Sequence, residues 1–152
     1  MNSSETMQQR SMWWTLAALF VIAVAFNYVW VLAQSPLYAG MDDFSRMWRH
    51  CFVPSLGDGL LVLLIFATGW IVLRQRDWFV RPGVRGYVLM LIAGLLIAIS
   101  IEMVMVNLLG QWKYSARMPL VPGLGVGLAP IAQMLLLPPI IFRLVAAWYA
   151  NV

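Results

Sequence analysis

Cysteine and histidine are almost absent from this sequence: Cys51 is the only cysteine and His50 is the only histidine. A single cysteine excludes a disulfide framework within the chain and every metal or iron–sulfur site that needs several thiolates. A single histidine excludes membrane desaturases, haem proteins with two histidine ligands and histidine-rich zinc enzymes, for one chain acting alone. No cofactor and no resident metal is therefore expected.

Charge is also scarce. Only 11% of the 152 residues are charged, whereas 62% are hydrophobic, and the mean hydropathy is +0.82. A water-soluble domain of this size needs far more polar surface, so the chain is expected to lie in a membrane. The net charge of +4 does not indicate nucleic-acid binding, because the basic residues lie between apolar runs and form no single wettable face.

Long apolar runs predict the fold. A helix needs about 20 apolar residues to cross the hydrocarbon core. Four such runs are present, at about 12–34, 55–73, 86–109 and 124–148. The first is longer than the core of a signal peptide and is expected to remain as a helix. The predicted fold class is all-α: a polytopic four-transmembrane-helix bundle in a single domain, kinked in its fourth helix by Pro130, Pro138 and Pro139.

The connecting segments predict the topology. Leu37 to Pro54 has too few apolar residues to cross the membrane, and a short interfacial helix is expected within it from Asp42 to Cys51. With the N-terminus inside, six basic residues lie on the inner side and four on the outer side, which favours both termini in the cytoplasm of a multi-pass cell-membrane protein. The inner set is Arg10, Arg74, Arg76, Arg81, Arg85 and Arg143.

Acidic residues within the predicted spans mark a candidate site, because an ionisable side chain in a membrane is costly and normally faces the bundle interior or a water-filled cavity. A rise of 1.5 Å per residue from the predicted helix ends puts Asp58 about 5 Å and Glu102 about 6 Å below the outer boundary. The two carboxyl groups are therefore expected to share one level. Asn27 is expected nearby, and Gln133 would extend a polar path inward.

Small residues on helix 3 indicate which face carries the carboxyl group. Gly94, Ala98 and Glu102 follow at intervals of four, which lets another helix approach closely. We hypothesise that helix 2 meets helix 3 along a matching stripe. That stripe consists of Asp58, Val62, Ile65 and Gly69.

The leading hypothesis is a polar pocket, open to the outer leaflet, that binds or modifies a lipid-like molecule. Glu102, Asp58 and His50 are the candidate catalytic residues, since a buried carboxyl can act as a general acid or base. The residues expected to bind the ligand are Asn27, Asn107, Trp112, Tyr114 and Arg117.

Structural roles remain open for the same residues. Asp58 would cap the start of helix 2, Glu102 would pair with a basic loop residue, and Asn27 would be an interhelical hydrogen-bond partner. A hydrolase triad of His50, Ser55 and Asp58 is disfavoured, because no strained nucleophile turn is evident. A metal site of His50, Asp58 and Glu102 has no spacing signature. The basic candidates for Glu102 are Arg49, Lys113 and Arg117.

Two features leave further alternatives. The segment from Pro119 to Pro130 is rich in glycine, which indicates either close packing through Gly123 and Gly127 or a partly unwound start of helix 4 that lines a cavity. Small size, short loops and ten methionines also suit an accessory or assembly subunit of a larger membrane complex, or a homo-oligomer. Transport is the least favoured function for a monomer, because the inner half lacks a matching polar path.

Overall fold

The computed structural model describes residues 3–41 and 44–149, with side chains defined for 12–41 and 47–148. The chain forms four long helices: α1 (Ser3–Gln34), α2 (Phe44–Leu73), α3 (Gly83–Glu102) and α4 (Leu128–Tyr149). Four stretches of helix are long and apolar enough to cross a membrane: Met12–Leu37, Met47–Leu73, Gly83–Leu108 and Leu128–Trp148. The prediction of an all-α chain with four candidate spans is confirmed.

The second helix begins eleven residues earlier than predicted. The expected interfacial helix from Asp42 to Cys51 is not a separate element, because Phe44–Cys51 is continuous with the rest of α2; Asp42 and Asp43 lie outside the described residues. The sequence prediction treated Pro54 as a boundary. A proline within a helix removes only one donor, here the partner of the His50 carbonyl, and α2 continues through it.

The fourth helix begins at Leu128 and not near residue 124. Gly123 and Gly125 have φ of +81° and +63°, which a right-handed helix does not accommodate. Pro130 consequently lies in the first turn of α4, where a missing N–H costs nothing, and it is not an interior residue as predicted. The helix runs without interruption through Pro138 and Pro139, so the kink expected there stays a prediction.

Each helix packs against two neighbours. α1 contacts α2 and α4, and α3 contacts the same two helices, so the four form a ring with α1 opposite α3. The contact between α2 and α3 is the least extensive of the four. At one end of the ring the α2–α3 connection folds inward: the Trp78 indole donates to the Phe66 carbonyl oxygen at 3.1 Å and packs on Gly69. Trp78 is 2% exposed and belongs to the core.

The small-residue stripe on α3 is buried as predicted. The five buried residues of α3 are Gly86, Met90, Gly94, Ala98 and Glu102. A Cβ added at Gly94 would lie only 2.3 Å from the carbonyl oxygen of Met134, so α4 makes the close backbone approach. The predicted meeting of helices 2 and 3 is present at the same point, where the tip of Ile65 lies 3.9 Å from the added Cβ, but the closest approach is made by α4.

We expect Gly94→Ala to destabilise the bundle by about 1–3 kcal/mol, because its methyl group would overlap a backbone atom that cannot rotate away. Thermal unfolding in detergent micelles measures the change. Gly57→Ala is the matched control, since Gly57 is an exposed glycine within α2 with no atom within 4 Å of the added methyl group. Equal unfolding temperatures for the two variants would contradict the close approach.

Candidate functional site

A cavity of about 110 Å³ lies among the four helices, and each helix contributes to its wall. Most of the wall is apolar, from residues such as Leu61, Ala98, Ile101 and Met134. The polar side chains that line it are Gln34, Ser35, Tyr38, His50, Asp58, Glu102, Trp112 and Gln133. The two acidic residues predicted to share a site, Asp58 from α2 and Glu102 from α3, therefore face one space inside the protein.

Asp58 occupies the middle of α2, fourteen residues after Phe44. It cannot cap the start of that helix, so the capping role considered from the sequence is wrong. Its partner comes from α4: the Gln133 amide nitrogen donates to Asp58 Oδ2 at 2.8 Å. Because a lipid environment supplies no hydrogen bonds, a polar group from a neighbouring helix is what permits a carboxyl group at this position.

Gln133 is the centre of a wider polar network. Its amide nitrogen also donates to Asn27 Oδ1 at 2.6 Å, while its carbonyl oxygen accepts a hydrogen bond of 3.1 Å from the Gln34 amide. Asn27 donates in turn to the Ala23 carbonyl oxygen at 2.8 Å. The side chains of Asn27, Gln34 and Gln133 are all buried. The network thus joins α1, α2 and α4 beside the cavity.

Glu102 is held by a different part of the chain. The Tyr114 hydroxyl and the Trp112 indole both donate to Glu102 Oε2, the indole at 3.4 Å. The Gly127 backbone N–H donates to the Tyr114 oxygen at 3.0 Å. The loop between α3 and α4 therefore folds over the end of α3, where a π-helical segment, Met103–Leu108, follows Glu102. Irregular turns of this kind are frequent at functional sites.

Backbone pairing fixes this loop against the end of α1. Ala39 N–H donates to the Lys113 carbonyl oxygen at 2.8 Å, and Ser115 N–H donates to the Leu37 carbonyl oxygen at 2.9 Å. The pairing places the Tyr38 ring 5.8 Å from that of Tyr114 and 6.4 Å from that of Trp112, centroid to centroid. Two of these three rings, those of Tyr38 and Trp112, line the cavity together with Glu102.

The two tyrosines remain uncharged. Burial raises the pKa of Tyr38 far above its ordinary value, and the nearby Glu102, Tyr114 and Asp58 raise it further. Burial also raises the pKa of Tyr114, with its hydrogen bond to Glu102 adding to the effect. Both phenols consequently keep their protons at physiological pH, so Tyr114 acts as a hydrogen-bond donor to the carboxyl group.

Each carboxyl group uses only one oxygen for these contacts. Asp58 Oδ1 and Glu102 Oε1 accept no hydrogen bond from any described residue. Every fully buried side-chain nitrogen or oxygen in the described part of the chain does have a partner. Both acidic residues line the cavity.

The structure brings most of the predicted residues together. Trp112 and His50 line the cavity with the two acidic residues. Tyr114 does not line the cavity but donates a hydrogen bond to Glu102. Asn27 is connected to Asp58 through Gln133. Asn107 and Arg117 are exposed and lie outside the wall. Sequence reasoning missed Gln34 and Tyr38 and gave Gln133 no binding role, although an amide within an apolar run is a recognisable signal.

The sequence left open an ion pair between Glu102 and a basic loop residue, and the described side chains do not form one. Among the described side chains no ion pair involves Glu102, whose partners are the neutral donors Tyr114 and Trp112. The Arg49 guanidinium instead lies over the Trp48 ring, 5.0 Å from its centroid. Lys113 and Arg117, the other basic candidates, are both exposed.

A hydrolase triad and a metal site were also considered from the sequence, and neither is assembled in the described part of the chain. The Ser55 hydroxyl is buried and donates to the Cys51 carbonyl oxygen at 2.7 Å, so it is not placed as a nucleophile. No described group of three histidine, cysteine or acidic residues is arranged to hold a metal ion, which leaves the combination of His50, Asp58 and Glu102 without support.

We expect Gln133→Leu to destabilise the protein by roughly 1–3 kcal/mol, because Asp58, Asn27 and Gln34 would all lose a hydrogen-bond partner away from water. Thermal unfolding in detergent micelles is again the measurement. Gln75→Leu makes the same chemical change at an exposed position in the α2–α3 connection and is the control. If both variants unfold at the wild-type temperature, the network contributes nothing.

Comparison of the chain with models of known protein families, with curated proteins and with solved structures gave no match. Function is therefore inferred from the chemistry of the cavity itself.

Proposed function

We propose that this integral membrane protein binds part of a lipid-like molecule in the cavity, with the polar end of the ligand at Asp58 and Glu102. The observation that carries the proposal is a pair of acidic residues on different helices that line one mostly apolar cavity, each with one carboxyl oxygen that accepts no hydrogen bond from the described residues. Ionisable residues within membrane spans are costly and are usually retained for function. An apolar pocket with a few convergent polar groups is the general form of a small-molecule site.

The size of the cavity favours a ligand that is only partly enclosed. Its volume of about 110 Å³ is well below the roughly 300–1,000 Å³ of pockets that surround a drug-sized molecule. The wall is most exposed along α2, at His50 and Pro54, and partly exposed at Ile101 of α3. Since α2 and α3 also make the least extensive helix contact, the apolar remainder of the ligand would extend between them toward the acyl chains.

The same carboxyl groups would allow chemistry on a bound molecule. Two acidic side chains facing one space can act as general acid and general base when the reacting atoms lie within hydrogen-bond reach. His50 lines the wall as a third titratable group. Binding is the core of the proposal, and proton transfer is the activity that these residue types would support.

The carboxyl groups can be tested separately from the fold. We expect Asp58→Asn and Glu102→Gln each to reduce retention of co-purifying lipid at least about tenfold, because a charged hydrogen-bond partner is lost while side-chain size is kept. Native mass spectrometry of the protein extracted from membranes measures retention. Asp77→Asn is the control, since this exposed carboxylate lies in the α2–α3 connection and does not line the cavity.

Three results would count against lipid binding at this site. The first is unchanged lipid retention by both cavity variants. The second is failure of both variants to accumulate as folded protein, which would assign Asp58 and Glu102 to helix packing. The third is recovery of the wild type in a fixed ratio with another membrane protein and without lipid, which would favour an accessory subunit.

The proposed orientation puts the cavity on the outer side, with both termini in the cytoplasm, because basic residues are concentrated in the α2–α3 connection. In a Cys51→Ala background, we expect Ala116→Cys to react with a membrane-impermeant maleimide on intact cells. Gln75→Cys should react only after permeabilisation. Both positions are exposed in the protein. The opposite labelling pattern would reverse the orientation and leave the cavity chemistry unchanged.

A further inference from the structure

We propose that the polar end of the ligand is a cation, an amine or a quaternary ammonium group held between Asp58 and Glu102; this inference rests on the proposed function. The cavity wall carries two acidic side chains, and none of its described residues is lysine or arginine. Among the described residues, Glu102 receives hydrogen bonds from neutral groups alone and Asp58 from an amide alone. A buried carboxylate is stable only when it is paired, and a ligand cation would supply the missing positive charge.

The aromatic side chains support a cation specifically. Tyr38 and Trp112 both line the cavity, and their rings meet edge to face at 6.4 Å between centroids. Aromatic faces attract ammonium groups through the ring quadrupole, an effect that is strongest when the cation is shielded from water. Only 5% of the Glu102 surface is exposed, so a cation beside it would be shielded from water.

Two further features of the cavity suit a cationic amphiphile: carboxyl oxygens that accept no hydrogen bond from described residues, and a largely apolar wall. Glu102 Oε1 and Asp58 Oδ1 accept no hydrogen bond from described residues, so the N–H groups of an amine would find acceptors there, and a quaternary ammonium group would be attracted to the same oxygens by charge alone. An anionic headgroup such as a phosphate would instead meet two like charges, which oppose its binding. Arg117, predicted from the sequence to bind the ligand, is exposed and lies outside the wall. The alkyl part of an amine would contact Leu61 and Ile101.

The experiment compares matched probes on the purified full chain in uncharged dodecyl maltoside micelles. The probes are dodecyltrimethylammonium, whose charge does not depend on pH, its hydrocarbon isostere in which carbon replaces nitrogen, and dodecyl phosphate. Apparent affinity is read from tryptophan fluorescence and from the rise in unfolding temperature. We expect the cation to bind the wild type at least about tenfold more tightly than either other probe, the effect of a charge-assisted contact in a site shielded from water.

Substitutions of the two acidic residues test whether the cationic probe binds in the cavity. Glu102→Gln and Asp58→Asn should each weaken cation binding by about tenfold and leave binding of the isostere unchanged. Asp77→Asn should alter neither, because Asp77 lies outside the cavity. Cation binding that persists undiminished in a Glu102→Gln, Asp58→Asn double variant would overturn the inference, since the probe would then bind elsewhere.

The outcomes separate this inference from the proposed function. Equal binding of the cation and its isostere, or tighter binding of dodecyl phosphate, would overturn the cation while leaving an amphiphile site. Failure of all three probes to bind the wild type would overturn both proposals. If the variants do not fold, the comparison of probes on the wild type still decides, because it requires no substitution.

Discussion

A carboxyl group inside a membrane span must find its partners within the protein, because acyl chains offer neither hydrogen bonds nor counter-charge. This constraint applies to two residues here, Asp58 and Glu102. It explains most of the irregular structure in the bundle. Gln133 of α4 serves Asp58, whereas the loop before α4 curls back so that Trp112 and Tyr114 serve Glu102. The bundle is therefore organised around the acidic pair as much as around its apolar core.

Helix packing sets the distances that these contacts need. The absent side chain at Gly94 allows the backbone of α4 to approach α3 at Met134, and Gln133 is the adjacent residue. A close approach at that level holds the amide of Gln133 at the cavity, within reach of α1 and α2. Small residues on one helix thus position a polar residue on another, which is a packing effect with a consequence for the site.

Structural and functional roles are not exclusive at this site. One oxygen of each carboxyl group is committed to fixing helix or loop positions, and both residues line the cavity. The described partners of both groups are neutral donors, so the described protein orients the carboxyl groups without supplying a counter-charge. Such an arrangement would keep acceptors in place for the proposed ligand and reduce the ordering that binding itself requires.

Composition and apolar run length determined the membrane setting, the four spans and the buried stripe of α3, because lipid solvation and helical periodicity act on residues close together in sequence. The same reasoning identified Asp58 and Glu102 as polar exceptions that must face protein. Only the tertiary structure decided that α2 continues through Pro54, that α4 makes the closest approach to Gly94, and that Gln133 joins Asp58 to Asn27. These outcomes depend on contacts between residues far apart in sequence, and no local pattern of side chains encodes which helix becomes the neighbour of which.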